Sequence, residues 1–351
     1  MDAPSLDSDD DPLEVFITHS VLSDEMLMEG LKLFFDKNAT KGKKSKMDRV
    51  MFQSKAKQVQ LFVEKYNLHP STLCTVYEDL QRTQAVERCT VLDLRYFLIA
   101  MNFLNSYPKQ HTLESDFDYS RGYIGRIIWR WVTRIASLES LKIVFPQYGP
   151  PSVPPAYDDH ERDLRDDDTR EWILTVDCIH YWVRKDAHPL LDHDPDKFSF
   201  KWNHDGRTVE FGIALDGGLI WKQGPDGAGV TDDLGTFCKP NGLKEQLQKV
   251  GKLAIGDRGY RGEEYISVYN SLDSKAVKMF KRRALLRHET FNGLTRTFDI
   301  LDGRFRHDNA KFELALTAVC VLCNYKLEYE RPLFDILVQA VVDAYEENEQ
   351  D

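Results

Sequence analysis

Three acidic residues stand where chemistry could be done: Asp177, Asp257 and Glu289. In KLAIGDRGYRGEEY (Lys252 to Tyr265) the apolar run Leu253, Ala254, Ile255 reads as the end of a buried strand, and Gly256 and Gly259 bracket Asp257 and Arg258 so that the chain can turn. Ligands collect at strand ends in open α/β sheets, which makes Asp257 a site candidate; an Asp here is equally suited to capping the next turn. Asp177 closes a second strand-like run, WILTVD, and is followed by Cys178, Ile179 and His180. Glu289 lies in the basic helical stretch RRALLRHETFNG, where Arg282, Glu289, Asn292 and Arg296 share one face while Leu285, Leu286, Phe291 and Leu294 can pack against a sheet. A carboxylate among arginines fits ordinary ion pairs as well as a metal site flanked by phosphate-binding cations.

Convergence of three carboxylates has a chemical use. Mg²⁺ takes hard oxygen ligands and keeps several waters, so a few acids from separate elements can hold one or two ions open to substrate. Two ions about 3.5 to 4 Å apart can activate an attacking oxygen and stabilise a leaving one in phosphodiester displacement, with no protein nucleophile. The sequence contains neither a G-x-S-x-G elbow nor a Walker phosphate loop. His180, His188, His193 and His204 match no usual zinc spacing, and Cys320 and Cys323 form a C-x-x-C pair inside an apolar helical run without a second ligand pair, as core thiols do.

The elements that must position these acids follow from pattern. Of the 351 residues 42% are hydrophobic, which is ordinary for a soluble globular chain, and no apolar run approaches the roughly 18 to 20 residues of a membrane span. An intracellular protein with no membrane partner is expected. The six scattered cysteines argue against a disulfide framework. A net charge of −11 argues against nucleic acid when taken whole, but the charge is segregated: acid crowds Asp7 to Asp11, Asp158 to Asp168 and the tail after Asp343, whereas Lys275 to Arg306 is rich in Lys and Arg.

Residues 1–12 read as a disordered acidic tail, and 13–90 as a helical region with helices over Leu13 to Phe35 and, broken at Asn67 to Pro70, over Met47 to Gln81. KGKKSK at Lys41 to Lys46 is a basic loop, either a nuclear address or plain surface. Residues 91–145 hold two apolar helices around a polar segment with Pro108. On the second, Arg126, Arg130 and Arg134 recur every four residues as one outward stripe, which suits a helix-turn-helix reader of DNA or a solvated structural face. A Pro-rich and acidic linker over 146–171 marks the domain boundary, and 339–351 is an acidic tail. Within 172–338, strands are expected at Trp172 to Asp177, Lys197 to Trp202, Thr208 to Leu215, Leu219 to Lys222 and up to Asp257, with turns at Asp205-Gly206 and Gly217-Gly218. Helices are expected at about Asp233 to Val250 and Asp273 to Leu301. This order is that of a mixed α/β layer fold.

TVDCIHYWVRK around Asp177, IWKQGPDGAGVTDD through Asp233, IGDRGY around Asp257 and RRALLRHETFNGLTRTFDILDGRFRH around Glu289 together resemble the DDE transposases of the PIF/Harbinger type. The similarity covers about Lys142 to Leu337, and the helix pair before it resembles that family's helical DNA-binding region. The resemblance implies an RNase H-like mixed sheet with flanking helices, behind an all-helical N-terminal region with a helix-turn-helix-like pair. It implies Asp177, Asp257 and Glu289 as a catalytic triad binding two Mg²⁺ or Mn²⁺ ions, and hydrolysis plus strand transfer on double-stranded DNA at transposon ends and targets. Lys281, Arg282, Arg287 and Arg296 are expected at phosphate together with the stripe on the earlier helix. His180, Asp233, Arg258 and His288 are expected around the triad. A nuclear location, a separate Myb-like DNA-binding partner and self-association are further expectations. Two positions depart from the family pattern: Thr231-Asp232-Asp233 replaces a common His-Asp pair, and Cys178 replaces a Gly after the first Asp. A domesticated DNA-binding or scaffolding protein without chemistry is the alternative.

Overall fold

The computed structural model describes residues 12–35, 46–83, 91–147, 172–184, 196–199, 201, 203–230 and 232–336. The acidic tails, the KGKKSK loop up to Ser45, Cys89, most of the linker, His188, His193 and Thr231 lie outside the described residues. The chain divides into two compact units, Met1–Ile135 and Ala136–Asp351, so the division falls ahead of the Pro-rich segment rather than in it. Among the described residues no helix is long and apolar enough to cross a membrane.

Among the described residues the regular elements of the first unit are all helices: α1 (Pro12–Phe35), α2 (Lys46–Met51), α3 (Lys55–Tyr66), α4 (Pro70–Arg82), α5 (Val91–Ser106), α6 (Gln110–Phe117) and α7 (Arg121–Ala136). The break between α3 and α4 is chemically specified. Asn67 takes the left-handed conformation that ends α3, His69 caps α4 and Pro70 opens it. Tyr77, Phe97 and Trp131, from α4, α5 and α7, stack in the core of this unit, with Trp131 5.9 Å from Tyr77 and 5.6 Å from Phe97. The polar segment with Pro108 holds a helix of its own, α6, beyond the two helices expected there. The pair joined by a three-residue turn is therefore α6 and α7, with Asp118 in the left-handed region ending the first.

The second unit comprises α8 (Glu139–Lys142), β1 (Trp172–Trp182), β2 (Phe198–Ser199), β3 (His204–Ala214), β4 (Leu219–Gly227), α9 (Asp233–Phe237), α10 (Leu243–Val250), β5 (Leu253–Gly256), β6 (Ile266–Val268), α11 (Lys275–Arg296), α12 (Asp299–Asp302) and α13 (Asn309–Tyr329). The sheet runs β2-β3-β1-β5-β6, with β4 also paired to β3. The β1/β3 and β3/β4 pairs are antiparallel, and the β1/β5 and β5/β6 pairs are parallel. This is a mixed sheet flanked by helices, consistent with an RNase H-like fold.

Several expected elements differ in extent. β1 continues to Trp182, because Cys178 to Trp182 keep pairing with Glu210 to Gly206 of β3, so Asp177 is mid-strand. Asp205 and Gly206 belong to β3 rather than a turn, Gly206 being the position over which the His180 ring lies; a Cβ there would collide with it. The helix expected over Asp233 to Val250 is two, α9 and α10, interrupted where Pro240 lacks an amide hydrogen and Asn241 is left-handed. Trp172, Val176, Leu243, Leu247, Ala254, Ile255, Phe280 and Ala284 contribute to one buried cluster. Burying a large apolar side chain contributes about 1.5 to 3 kcal/mol, so this cluster anchors the strands that carry the acids.

Candidate active site

Register places the first two acids together. β1 and β5 pair in parallel, with Leu174 opposite Ala254 and Thr175 opposite Ile255; the same register continued by two residues brings Asp177 level with Asp257. β5 stops at Gly256, so among the described residues β1 has no partner on that edge at Asp177, until Phe305 bonds Trp182 and Arg184 at its far end, and the acid lines a cleft.

The helix α11 supplies the third acid. Ser274 caps its start by accepting from the Val277 amide, and the helix packs along β1 through the His288 Nδ1 contact with Thr175 Oγ1 at 2.9 Å and the Tyr181 hydroxyl contact with Thr295 Oγ1 at 2.9 Å. Thr175, Asp177 and Tyr181 share the same side of a strand by two-residue alternation, so Asp177 lies on the side that meets α11. Glu289, next to the buried His288, faces the opening. Asp177, Asp257 and Glu289 all line one cleft of about 1070 Å³, together with His180, Lys201, Asp232, Asp233, Asn292 and Arg296.

The electrostatics reflect the crowding of acids. Burial pushes the Asp177 carboxyl up to about 7; a bond from the Cys178 amide at 2.8 Å opposes this, and the charges of Asp233, Asp257 and Glu289 add to the rise. Asp233, in the first turn of α9, is also raised by burial and by Asp257. Asp257 is exposed and does cap the following turn: its Oδ1 accepts from the Gly259 amide at 2.7 Å, leaving Oδ2 outside that cap. A Cβ on Gly259 would stand 3.0 Å from Asp257 Oδ1 and 3.5 Å from Asp233 Oδ2, so the glycine leaves room where two carboxylates approach one another. The donor set is all hard oxygen, which fits Mg²⁺ or Mn²⁺. The ligand atoms of the three acids do not all lie within 4.8 Å of one another; among the described residues His19, Cys74 and Glu78 form such a group.

The other expected site residues separate. His180 lines the cleft, its Nε2 3.5 Å from His204 Nδ1, and burial lowers its pKa to about 4, so it is neutral near pH 7. Arg296 lines the cleft and donates to the His180 carbonyl at 3.3 Å. Arg258 is exposed beside Asp257 with its guanidinium 6.0 Å from the Tyr269 ring centre, and it is not part of the cleft wall. Arg282 is exposed on α11 and is likewise not part of the wall. Arg126 and Arg130 are exposed on α7, while Arg134 is half-buried with its guanidinium 4.7 Å from the Trp131 ring centre.

Three expectations are corrected. Lys281 is 1% exposed and pairs with the buried Asp273 at 3.2 Å, so it does not face phosphate. Arg287 is 3% exposed and donates to the carbonyls of Ala214, Gly217 and Phe334, fastening α11 to the end of β3 and to the segment after α13. His288 is fully enclosed against Thr175, with its pKa lowered by burial to about 3, so it orients the helix rather than a substrate. Leu286, expected against the sheet, is 52% exposed; the α11 face toward the sheet is instead carried by Ala284, Arg287, His288, Phe291 and Thr295.

Two further residues carry no signal of a role in the sequence. Lys201 lines the cleft. Glu210 is wholly buried on β3 directly across from Cys178, accepts from the Trp221 indole at 3.1 Å, and has its carboxyl pushed up to about 8 by burial. An acid between Val209 and Phe211 in an alternating strand predicts an outward side chain, and only the covering elements reveal that this face is also closed.

No curated protein and no solved structure matches the chain. Residues 176–324, a span that begins one residue before Asp177 and contains Asp257 and Glu289, match the family model described as DDE superfamily endonuclease, which supports a domain of that superfamily in this part of the chain.

Proposed function

We propose that the second unit is a divalent-metal-dependent DNA nuclease of the transposase type, of PIF/Harbinger kind, cutting phosphodiester bonds at transposon ends and joining those ends to target DNA in the nucleus. The observation that carries this reading is the register of β1 and β5, which sets Asp177 level with Asp257, with Glu289 on the wall of the same cleft. Asp177, Asp257 and Glu289 would hold one or two Mg²⁺ or Mn²⁺ ions. Such ions, when bound, activate the attacking oxygen and offset charge on the leaving one.

The chain's own groups do the positioning. The Gly259 amide fixes one oxygen of Asp257, and the Cys178 amide fixes one oxygen of Asp177. Arg296 offers a cation at the cleft wall for a phosphate oxygen, while neutral His180 supplies its carbonyl to orient that guanidinium. The arginines of α7 would add sequence-independent affinity for the DNA backbone. A separate Myb-like protein and self-association belong to this reading as accessory parts.

The test is nicking of candidate element ends with Mg²⁺, with Mn²⁺ and with chelator. Asp177→Asn, Asp257→Asn and Glu289→Gln are each expected to keep the fold and lose more than about a hundredfold in cleavage, beyond the ten- to hundredfold typical of groups outside the ligand set. Undiminished cleavage by any one of them sinks the assignment of that acid. The departures from the family pattern beside the triad, Asp232-Asp233 after Thr231 and Cys178 after Asp177, favour a second reading, a non-catalytic DNA-binding protein that has kept the fold. That reading predicts DNA binding indifferent to divalent ions and no nicking.

A further inference from the structure

The helical unit holds a group of metal-type side chains that the cleft does not use. Cys74 and Glu78 are four residues apart on α4 and so share one face, which His19 of α1 meets. His19 Nδ1 lies 3.0 and 2.9 Å from the two carboxylate oxygens of Glu78 and 3.6 Å from Cys74 Sγ, which in turn is 3.5 Å from Glu78 Oε1.

We propose that His19, Cys74 and Glu78 form a zinc site that staples α1 to α4. With zinc bonds of about 2.0 to 2.3 Å in tetrahedral geometry, neighbouring ligand atoms stand roughly 3.4 to 3.6 Å apart. The two distances from sulfur already have that length. The His19 to Glu78 distance must open by about 0.4 Å to join them. One thiolate, one imidazole and one carboxylate suit zinc; Mg²⁺ and Ca²⁺, which take oxygen ligands, are disfavoured by the sulfur.

Burial agrees with the geometry. Cys74 is fully buried, whereas the His19 and Glu78 side chains are 32% and 36% exposed, so the site is closed at the sulfur and open at the other two ligands. His19 also lines a cavity of about 630 Å³, which gives water a route to a fourth position. On binding, the Cys74 S–H bond breaks and its proton passes to solvent. The Nδ1 hydrogen that holds the bond to Glu78 is exchanged through solvent for one on Nε2; the sulfur lone pair and the freed His19 Nδ1 lone pair then donate to the ion, and a Glu78 oxygen exchanges its hydrogen bond for a metal bond.

The experiment uses the full-length chain, stripped with chelator and then titrated with Zn²⁺ or Co²⁺. With Mg²⁺ in excess to occupy the cleft, one equivalent of zinc is expected, and the cobalt form should show thiolate-to-cobalt absorption in the near ultraviolet. Cys74→Ala should remove that absorption. Glu78→Gln and His19→Gln, at partly exposed positions that spare the buried sulfur, should weaken zinc by about tenfold or more. Asp177→Asn should leave the zinc equivalent in place, which separates this site from the cleft. The proposal is overturned if the wild type takes up no stoichiometric zinc, if the absorption survives Cys74→Ala, or if zinc is lost with Asp177→Asn and kept with Glu78→Gln.

Discussion

Replacing Lys281 by alanine separates a structural cation from a DNA-binding one on the same helix. The Lys281 ammonium is enclosed: it donates to Asp273 Oδ2 and to the Val268 carbonyl, each at 3.2 Å, and lies 5.3 Å from the Trp172 ring centre. Asp273 is itself buried and accepts from the Asn270 amide at 2.9 Å. Removing one partner of a buried pair costs about 3 to 5 kcal/mol, because the charge left behind has lost its counter-ion and cannot reach water. The remaining Asn270 bond favours the lower end, about 3 kcal/mol. In a unit of roughly 200 residues each kcal/mol lowers Tm by about 2 to 4 °C, so a fall of about 6 to 12 °C is expected. Thermal and urea unfolding of the full chain would measure it, alongside DNA affinity at several salt concentrations. Lys281→Met keeps the stem beside Trp172 and isolates the loss of charge. Arg296→Ala is the opposite case, with stability within about 0.5 kcal/mol and weaker DNA binding. The reasoning is refuted if Lys281→Ala leaves Tm unchanged and instead reduces the salt dependence of DNA binding by about one phosphate contact.

Glu210→Gln should stabilise the protein near neutral pH. The folded carboxyl titrates at about 8, above its ordinary value, so its contribution to stability is fully present below the unfolded pKa and is lost as pH rises through the folded one. At pH 7 the gain on substitution is of order 3 kcal/mol as a ceiling, and urea unfolding at pH 5 and pH 8 should show the variant's advantage growing with pH; an advantage that shrinks with pH would show that Glu210 is ionised and paired. Alanine at Arg126 and Arg130 should lower the slope of log affinity for DNA against log salt by about one for each phosphate contact removed, with little change in Tm; an unchanged slope makes the α7 stripe a solvated face.

Much of the second unit was legible because local pattern and tertiary need agree there. Leu253 to Ile255 form a strand where the apolar run predicts one, and Asp257 both caps the turn and lines the cleft, so the two readings of IGDRGY are compatible rather than alternative. The side-chain directions on α11 were harder to read. Helical spacing puts Lys281 and Arg287 on a basic helix, but it does not reveal that Asp273 and the carbonyls of Ala214, Gly217 and Phe334 wait at the other side to satisfy them. Long cations are placed by composition on surfaces, and they go inside only where distant segments supply every partner. The same limit hid α6, whose sequence QHTLESDF has weak apolar periodicity and is held by burial of Leu113 and Phe117.

Asp177 shows why strand ends are an incomplete guide to this kind of site. The apolar run WILTV predicts a strand that ends at the acid, yet β1 runs five residues further along β3. What gives the acid its access is the neighbour on the other side: β5 stops at Gly256 and turns through Arg258 to Tyr260, so among the described residues the parallel edge of β1 is unpaired just where Asp177 stands. The cleft is therefore set by the short length of β5, which its apolar run and bracketing glycines specify, and the pairing register then decides which residue of β1 meets it. A slip of that register by one residue would turn Asp177 away from α11 and bring Val176 or Cys178 into its place. The antiparallel pairing of nine β1 residues with β3, from Leu174 opposite Ala214 to Trp182 opposite Gly206, is what holds the acid in position.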